Sequence, residues 1–329
     1  MNRMRNKDSG LRWLSDHLGL SSAGLILLGL SSSYIALDPK VASLQTLSGV
    51  FGSGLPLAIA SIAETVVLLI GGIDLSVGSV MSLVSVVVAT HMGSSIESMV
   101  LWALIGIAIG GIVGFINATL IERLGISAFI ATLATMEVVQ GLALSVLSSP
   151  GGSVPSAFSN IFTGQSSIGI PYGGLAIVIL LVLWVFAKYT KQVRWIYAVG
   201  SDRSAARLNG VRDGRTIFLA YISCGCLAGV AGLAFSALLN SGDPVEGGTY
   251  LLPAIAAAVI GGTSIFGGRG GAFGSAIGAF ILTVLADVLF AAGVTPFYNA
   301  LFTGAVTVVV VAIGVLADRF GRRQHLNAG

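Results

Sequence analysis

The sequence predicts an all-α, polytopic integral membrane protein with about ten transmembrane helices, and three observations support this fold class. Hydrophobic residues make up 55% of the 329 residues. Charged residues make up 9%, whereas soluble domains carry about 25%. The mean hydropathy is +0.94. A soluble chain with so few charges would not cover its own surface, which excludes a cytosolic enzyme, a nucleic-acid binder and a disordered protein.

Ten apolar segments are long enough, or nearly long enough, to cross the hydrocarbon core of a bilayer. The predicted spans are 18–37, 54–71, 76–91, 98–120, 127–147, 173–187, 216–239, 250–263, 271–292 and 297–316. The short breaks at 71–78 and 261–271 leave two alternatives open. Each is either a loop between two spans or a broken, re-entrant segment.

The distribution of basic residues predicts the orientation of these spans, because cytoplasmic loops collect Lys and Arg. With ten spans and a cytoplasmic N-terminus, all 17 Lys and Arg residues except Lys40 fall on the inside. Both termini are therefore expected in the cytoplasm. The predicted parts are a cytoplasmic N-terminal segment 1–17, one transmembrane domain 18–316, a basic cytoplasmic loop 188–215, an uncharged outer loop 148–174 and a cytoplasmic tail 317–329.

Glycine spacing predicts which helix faces pack closely. The chain contains 45 glycines, roughly twice the usual share, and several recur every fourth residue, which gives a helix a flat groove. These sets are Gly106, Gly110 and Gly114; Gly225 and Gly229; and Gly270, Gly274 and Gly278. A weak internal repeat is also present, because residues 69–75 (LIGGIDL) resemble residues 259–265 (VIGGTSI).

Polar residues inside the apolar segments are candidates for function, because ionisable groups are costly within a membrane. The acids are Glu64, Glu137 and Asp287 within spans and Asp74 at a break. The alternative is structural, with these acids near span ends or bonded to polar neighbours such as Thr65. The candidates for a translocation pathway or gate are Asp74, Ser76, Ser79, Asn117, Thr132, Thr135, Glu64 and Glu137.

The basic loop contains a second candidate site, a short helix ended by Gly210. Its residues Ser204, Ala205, Ala206, Arg207 and Gly210 suit docking against a partner, and a plain connecting helix is the alternative. The sequence has no phosphate-binding loop, no H-E-x-x-H and no G-x-S-x-G motif. We therefore expect no catalytic residues, no metal and no cofactor in this chain.

Four motifs, in one order, carry a family resemblance from about residue 50 onward. They are GGIDLSVGS at 71–79, AFIATLA at 128–134, YAVG at 197–200 with AARLNGV at 205–211, and AIAAAVIGGTSIFGG at 254–268. Together they resemble the ribose/xylose/arabinose-type ABC transporter permeases. One departure is Gln140, which stands where members of this family often have Arg.

The resemblance implies a permease subunit of a bacterial sugar importer, multi-pass in the inner membrane, that works by ATP-driven alternating access. It implies as partners a second permease subunit (the same chain or a different one), a cytoplasmic subunit that binds ATP and a periplasmic sugar-binding protein. It makes 204–210 the loop that couples to the ATPase. Because the predicted spans contain no Lys or Arg, we expect a small neutral sugar or polyol as cargo. The alternatives are a secondary transporter that couples cations through Glu64, Glu137 or Asp287, and an ABC permease for a nucleoside or an autoinducer.

Overall fold

A computed structural model describes residues 21–295 together with residues 298, 301, 302, 304, 305 and 308. In this part of the chain the regular structure is helical, apart from two isolated bridges. The helices are α1 (Ser21–Leu37), α2 (Leu44–Leu68), α3 (Val77–His91), α4 (Ile96–Glu122), α5 (Ala128–Val146), α6 (Ser156–Thr163), α7 (Tyr172–Lys188), α8 (Lys191–Ser201), α9 (Arg203–Leu208), α10 (Asp213–Leu239), α11 (Leu251–Ile260) and α12 (Ala272–Ala291), with 3-10 turns at Pro39–Val41 and Glu246–Tyr250.

The all-α membrane fold is confirmed, and each of the first nine predicted spans overlaps an apolar helix. Five of the described helices, α2, α4, α5, α10 and α12, have the length and composition of a membrane span, and α7 with α8 forms a sixth candidate bent by 79°. Shorter apolar helices lie at Ser21–Leu37, Val77–His91 and Glu246–Ile260. The predicted tenth span, the N-terminal segment 1–17 and the tail 317–329 lie wholly or almost wholly outside the described residues.

Helix α2 begins ten residues before its predicted start. The Ser43 side chain accepts a hydrogen bond from the backbone N–H of Thr46 and caps the helix, so the polar stretch before residue 54 is also helical. Pro56 lies inside the helix. Proline is tolerated inside membrane helices where neighbouring groups compensate for the lost backbone bond.

Helix α3 forms the centre of the molecule. Almost all of its residues are buried, including Ser79, Ser82 and Ser85. It contacts α2, α4, α5, α10 and the 3-10 turn Glu246–Tyr250. Gly247 of this turn donates its N–H to the Ser82 hydroxyl at 3.0 Å. A Cβ at Gly78 would lie 2.9 Å from the Gly247 carbonyl oxygen, so the turn packs backbone-to-backbone against the first turn of α3.

The glycine sets mark two close helix pairs. Helices α4 and α10 run antiparallel, and a Cβ added to Gly110 would overlap the Gly225 carbonyl. Gly106 faces Gly229 in the same way, one turn along. In the second pair, α12 lies against the end of α11, where Gly274 faces Gly261. The prediction of close packing at these positions is confirmed, although Gly270 lies before α12 with a φ of +124° and takes no part in its helical face.

The loops gather at two separate ends of the bundle. At one end the Gly268 N–H donates to the Leu69 carbonyl oxygen at 2.9 Å, and Arg203 pairs with Glu122. At the other end Gly151 and Gly242 exchange backbone hydrogen bonds. The loops that are predicted to be cytoplasmic from their basic residues therefore lie together at one end of the bundle. The predicted outer loop lies at the opposite end. The outer loop contains α6, which packs against α2 and α10.

We predict that single cysteines will report these two ends from opposite sides of the membrane. In a background lacking Cys224 and Cys226, a cysteine at Ser204 should react only from the cytoplasm and one at Ser167 only from outside, because both positions are exposed. The measurement is labelling by a membrane-impermeant maleimide in intact and in opened cells. Labelling of both positions from the same side would refute the ten-span topology.

Candidate functional site: a polar break, a glycine junction and a cavity

A buried polar network lies at the break between α2 and α3. The Asp74 Oδ1 atom accepts three hydrogen bonds, from the Ser76 N–H at 3.0 Å, the Ser76 hydroxyl at 2.6 Å and the Asn117 amide at 3.1 Å. The Thr135 hydroxyl donates to the Asn117 oxygen at 2.5 Å. All four side chains are buried. The network therefore joins the break to α4 and α5 and compensates for burying a carboxylate, which would otherwise be costly.

The other predicted residues of this site extend the network. The Ser79 hydroxyl donates to the Ser76 carbonyl oxygen at 2.9 Å. The Thr132 hydroxyl and the Tyr221 hydroxyl each lie 3.4 Å from the Ile73 carbonyl oxygen. The irregular backbone before α3 is thus held from α5 on one side and from α10 on the other. Tyr221 was not predicted, because only the fold brings α10 to this break.

The two similar breaks meet each other and one glycine of α8. A Cβ at Gly200 would overlap the Leu69 carbonyl and would lie 2.7 Å from the Gly268 nitrogen. Gly267, with a φ of +87°, would place a Cβ 2.9 Å from both the Gly71 nitrogen and the Gly200 oxygen. We call this contact of Leu69, Gly71, Gly200, Gly267 and Gly268 the glycine junction. Three backbone segments touch there with no side chain between them.

The glycine junction is continuous with the predicted coupling segment. Ser201 ends α8, and Asp202 caps α9 by accepting hydrogen bonds from the N–H groups of Ser204 and Ala205. Helix α9 is the short helix that the sequence predicts, and Gly210 follows it with a φ of +78°. Only Ser201 and Asp202 therefore separate Gly200 of the junction from the first residue of α9.

Ion pairs fix α9 to the neighbouring helix ends. Arg203 bonds to Glu122 at 2.9 Å and to Asp213 at 2.7 Å. Arg207 also donates to Asp213 at 2.7 Å, and this hydrogen bond raises the pKa of the Arg207 guanidinium. Ala206 is the buried residue of α9 and lies on its inner side.

The outer surface of α9 carries an apolar side chain. Leu208 is 90% exposed, although the loop around it is polar. The predicted coupling residues did not include Leu208, because the prediction relied on the small residues of this segment. A lone leucine in a basic loop is the signal that would have found it.

A cavity of about 430 Å³ opens beside the polar network. It lies between the start of α3, the middle of α5 and the segment around Glu246–Tyr250. Its polar lining is Ser79, Glu137, Gln140 and Thr249, and its apolar lining includes Leu75, Met136, Val245 and Leu251. Gln140 is held in place by donating to the Pro244 carbonyl oxygen at 2.5 Å. The cavity thus offers carboxylate, amide and hydroxyl groups on a partly apolar wall.

The candidate acids occupy three different environments. Glu64 on α2 is fully buried, and neither of its carboxyl oxygens makes a hydrogen bond within the described structure. Glu137 is exposed at the midpoint of α5. Asp287 lies on α12 and is partly buried. Thr65, suggested as a partner for these acids, instead bonds to Ser61 and Ser275.

Residues 46–311 match the family described as a permease component of the branched-chain amino acid transport system. The chain belongs to this permease family. The resemblance to ABC transporter permeases is thereby confirmed, and the permease is a multi-pass membrane protein of that class. No solved protein structure matches it.

Three relatives illustrate the range of the family. A probable ABC transporter permease of Sinorhizobium fredii (strain NBRC 101917 / NGR234) is 38% identical, over 87% of this chain and 85% of the relative. The ribose import permease of Escherichia coli (strain K12) is 33% identical, over 93% and 94%. The autoinducer 2 import system permease of Enterobacter sp. (strain 638) is 34% identical, over 92% and 89%. These relatives are transport subunits rather than enzymes.

We predict that Asn117→Ala destabilises the permease, because the substitution removes the amide that donates to buried Asp74 and to the Ser76 hydroxyl and that accepts from Thr135. Leaving buried polar groups unsatisfied costs about 1–3 kcal/mol. The measurement is thermal unfolding of the purified protein in detergent. Ser145→Ala is the matched control, since the exposed Ser145 hydroxyl bonds only within its own helix. Equal melting temperatures for both variants would contradict the role of the network.

Proposed function

We propose that the permease is the transmembrane subunit of a bacterial ABC importer that moves a small neutral sugar or related polyol across the inner membrane. Transport is driven by ATP hydrolysis in a partner subunit, through alternating access. The observation that carries the proposal is the glycine junction, because it connects the segment suited to ATPase docking with both broken membrane segments. The permease itself contributes no catalytic residue and binds no cofactor or metal in this scheme.

In the proposed mechanism the ATPase docks on α9. Leu208 supplies an exposed apolar contact, and Ser204, Ala205 and Arg207 form the rest of the outer surface of the helix. The Arg203 and Arg207 ion pairs make α9 move as one unit with the ends of α4 and α10. When the ATPase subunits close, α9 pulls α8, and Gly200 transmits the displacement to Leu69 and Gly268.

The cavity is the proposed section of the translocation pathway. Glu137 is exposed at the midpoint of α5, and a carboxylate at that depth is costly against lipid. We infer that this face of α5 borders a water-filled path and is covered by a second permease subunit. The polar network at Asp74 lies at the base of this path and fixes the conformation of the chain between α2 and α3. Either another copy of this chain or a different permease chain would cover this face.

The lining of the cavity favours a neutral cargo. It contains one carboxyl group (Glu137), one amide (Gln140) and two hydroxyl groups, but no Lys or Arg. An amino acid would bring a carboxylate with no base to meet it, whereas sugar hydroxyls pair with all of these groups. The names of relatives that import ribose and D-allose agree with a sugar.

A different cargo and a different transport mechanism are the two alternatives to this proposal. An autoinducer or a nucleoside also carries hydroxyl groups, and one relative imports autoinducer 2. Cation-coupled transport would use Glu64, Glu137 or Asp287. These acids lie on three different helices, and no hydrogen bond joins any two of them in the described structure.

The proposal places both termini in the cytoplasm and the outer loop 148–174 in the periplasm. A periplasmic binding protein delivers the sugar there. In such a system the binding protein makes most of the choice among sugars, so the permease needs only a path that accepts neutral hydroxyl compounds.

We predict that uptake requires the ATPase and the binding protein and accepts at least one pentose, hexose or polyol. The measurement is uptake of radiolabelled compounds into proteoliposomes containing the permease and ATPase, with binding protein outside the vesicle and ATP inside. Leucine, glutamate and a nucleoside serve as competing cargoes. Uptake of amino acids alone would refute the sugar assignment, and uptake by the permease without ATPase would refute the ABC mechanism.

We predict that Gly200→Ala uncouples ATP hydrolysis from transport. The added methyl group overlaps the Leu69 carbonyl. The backbone shifts that accommodate such an overlap typically cost about 1–3 kcal/mol of folding free energy. The expected result is normal co-purification of the ATPase with at least about tenfold lower sugar uptake. Gly49→Ala is the matched control, because a Cβ at Gly49 meets no atom within 4 Å. Normal uptake by the Gly200 variant would exclude transmission through the junction.

A further inference from the structure

One side of α7 is a continuous apolar surface. The exposed residues Leu175, Val178, Val182 and Phe186 follow helical spacing, while Ile177 and Trp184 are buried on the opposite side. The exposed stripe contains no polar side chain. It differs in this respect from the exposed face of α5, which carries Glu137, and it has the composition of a surface that faces lipid tails.

The stripe ends in a group of aromatic and basic residues. Tyr189 follows it directly and is 78% exposed. Lys188 precedes Tyr189, and Lys191 follows two residues later; both are exposed. Tyrosine and lysine are typical of the membrane–water interface, where a ring lies at headgroup level and an ammonium group extends into the headgroups.

The chain then turns along the membrane surface. Helix α8 is bent by 79° from α7, so if α7 crosses the bilayer, α8 runs close to its plane. Ile196 and Val199 of α8 are buried against the protein. Lys191 and Arg194 lie three residues apart, which places them on the same exposed side of α8. Both bases therefore lie on the side of α8 opposite Ile196 and Val199, and Lys191 lies one turn after Lys188 along the chain.

The positive charge of this group is uncompensated by nearby acids. Residues 188–201 include no Asp or Glu. Nearby along the chain, Arg203 and Arg207 pair with Glu122 and Asp213, and no ion pair of the described residues involves Lys188, Lys191 or Arg194. An anionic headgroup would neutralise the charge of these bases without breaking an ion pair of the described structure.

We propose that Lys188, Tyr189, Lys191 and Arg194 form a binding surface for the headgroup of an anionic phospholipid. The three bases hold the phosphate and its neighbouring anionic charge, Tyr189 lies at the glycerol level, and the stripe on α7 contacts the acyl chains. The surface is independent of the cargo and of the ATPase. It adjoins Gly200 through α8, so a bound lipid steadies the helix that reaches the glycine junction.

The test is binding of phosphatidylglycerol and of zwitterionic phosphatidylcholine to the purified full-length permease, measured by titration with native mass spectrometry. Each basic residue near an anionic surface contributes about a fivefold increase in affinity. The triple variant Lys188→Gln, Lys191→Gln, Arg194→Gln should therefore bind phosphatidylglycerol on the order of 100-fold more weakly. Its binding of phosphatidylcholine should be unchanged.

Single variants provide the matched comparison. Lys191→Gln should weaken phosphatidylglycerol binding about fivefold, whereas Lys40→Gln, which removes an exposed base at the opposite end of the molecule, should leave it unchanged. Unaltered phosphatidylglycerol affinity in the triple variant overturns the proposal. Loss of ATPase association, or of pairing between permease copies, with unaltered lipid affinity also overturns it and assigns these bases to a protein interface.

Discussion

The structure depends on backbone segments that approach each other more closely than any side chain would allow. Within a bilayer, apolar side chains gain little by leaving lipid for protein, so helix association relies on close van der Waals contact. The pairs Gly110–Gly225 and Gly261–Gly274 supply that contact between helices. The glycine junction supplies it between segments that are not helical. The same constraint therefore organises the bundle and connects its irregular parts.

Close backbone contact also explains how polar groups are distributed. Where the chain leaves helical geometry before α3, its polar groups have no water to bind and must find partners within the protein. Asp74 and Asn117 provide them, because α4 and α5 lie close enough for their side chains to reach the break. Glu64, in contrast, is buried on regular helix and lacks a hydrogen-bond partner in the described structure. The hydrogen bonds that compensate for burial are thus made by Asp74 at the break.

Sequence reasoning predicted the helices and their faces better than the contacts between those faces. Apolar length alone located nine apolar helices, five of which have the length and composition of a membrane span. Glycine spacing identified the faces on which α4 and α10 pack closely. Polar residues in apolar surroundings are recognisable from the sequence, which is why it identified Asp74, Ser76, Asn117 and Thr135 as candidates. Their mutual hydrogen bonds were beyond prediction, since they depend on how three helices cross.

Gly200 shows the limit most clearly. It lies in α8, at the end of the YAVG motif at 197–200, and that motif marks the family but does not show which residues Gly200 contacts. Its importance comes from Leu69 and Gly268, which are distant in sequence and meet it only in the fold. The weak similarity of 69–75 and 259–265 suggested two equivalent breaks, but a similarity between segments carries no information about whether they touch.

The burial of α3 has a consequence for the biosynthesis of the chain. With 15 residues, α3 is about 22 Å long, shorter than the hydrocarbon core of about 30 Å, and its buried face carries the hydroxyls of Ser79, Ser82 and Ser85. The ribosome delivers α3 before α4, α5 and α10, which later enclose it. Until then it enters the bilayer as an incomplete segment beside α2. Helix α3 therefore cannot complete its packing until α10 and the turn Glu246–Tyr250 have been synthesised.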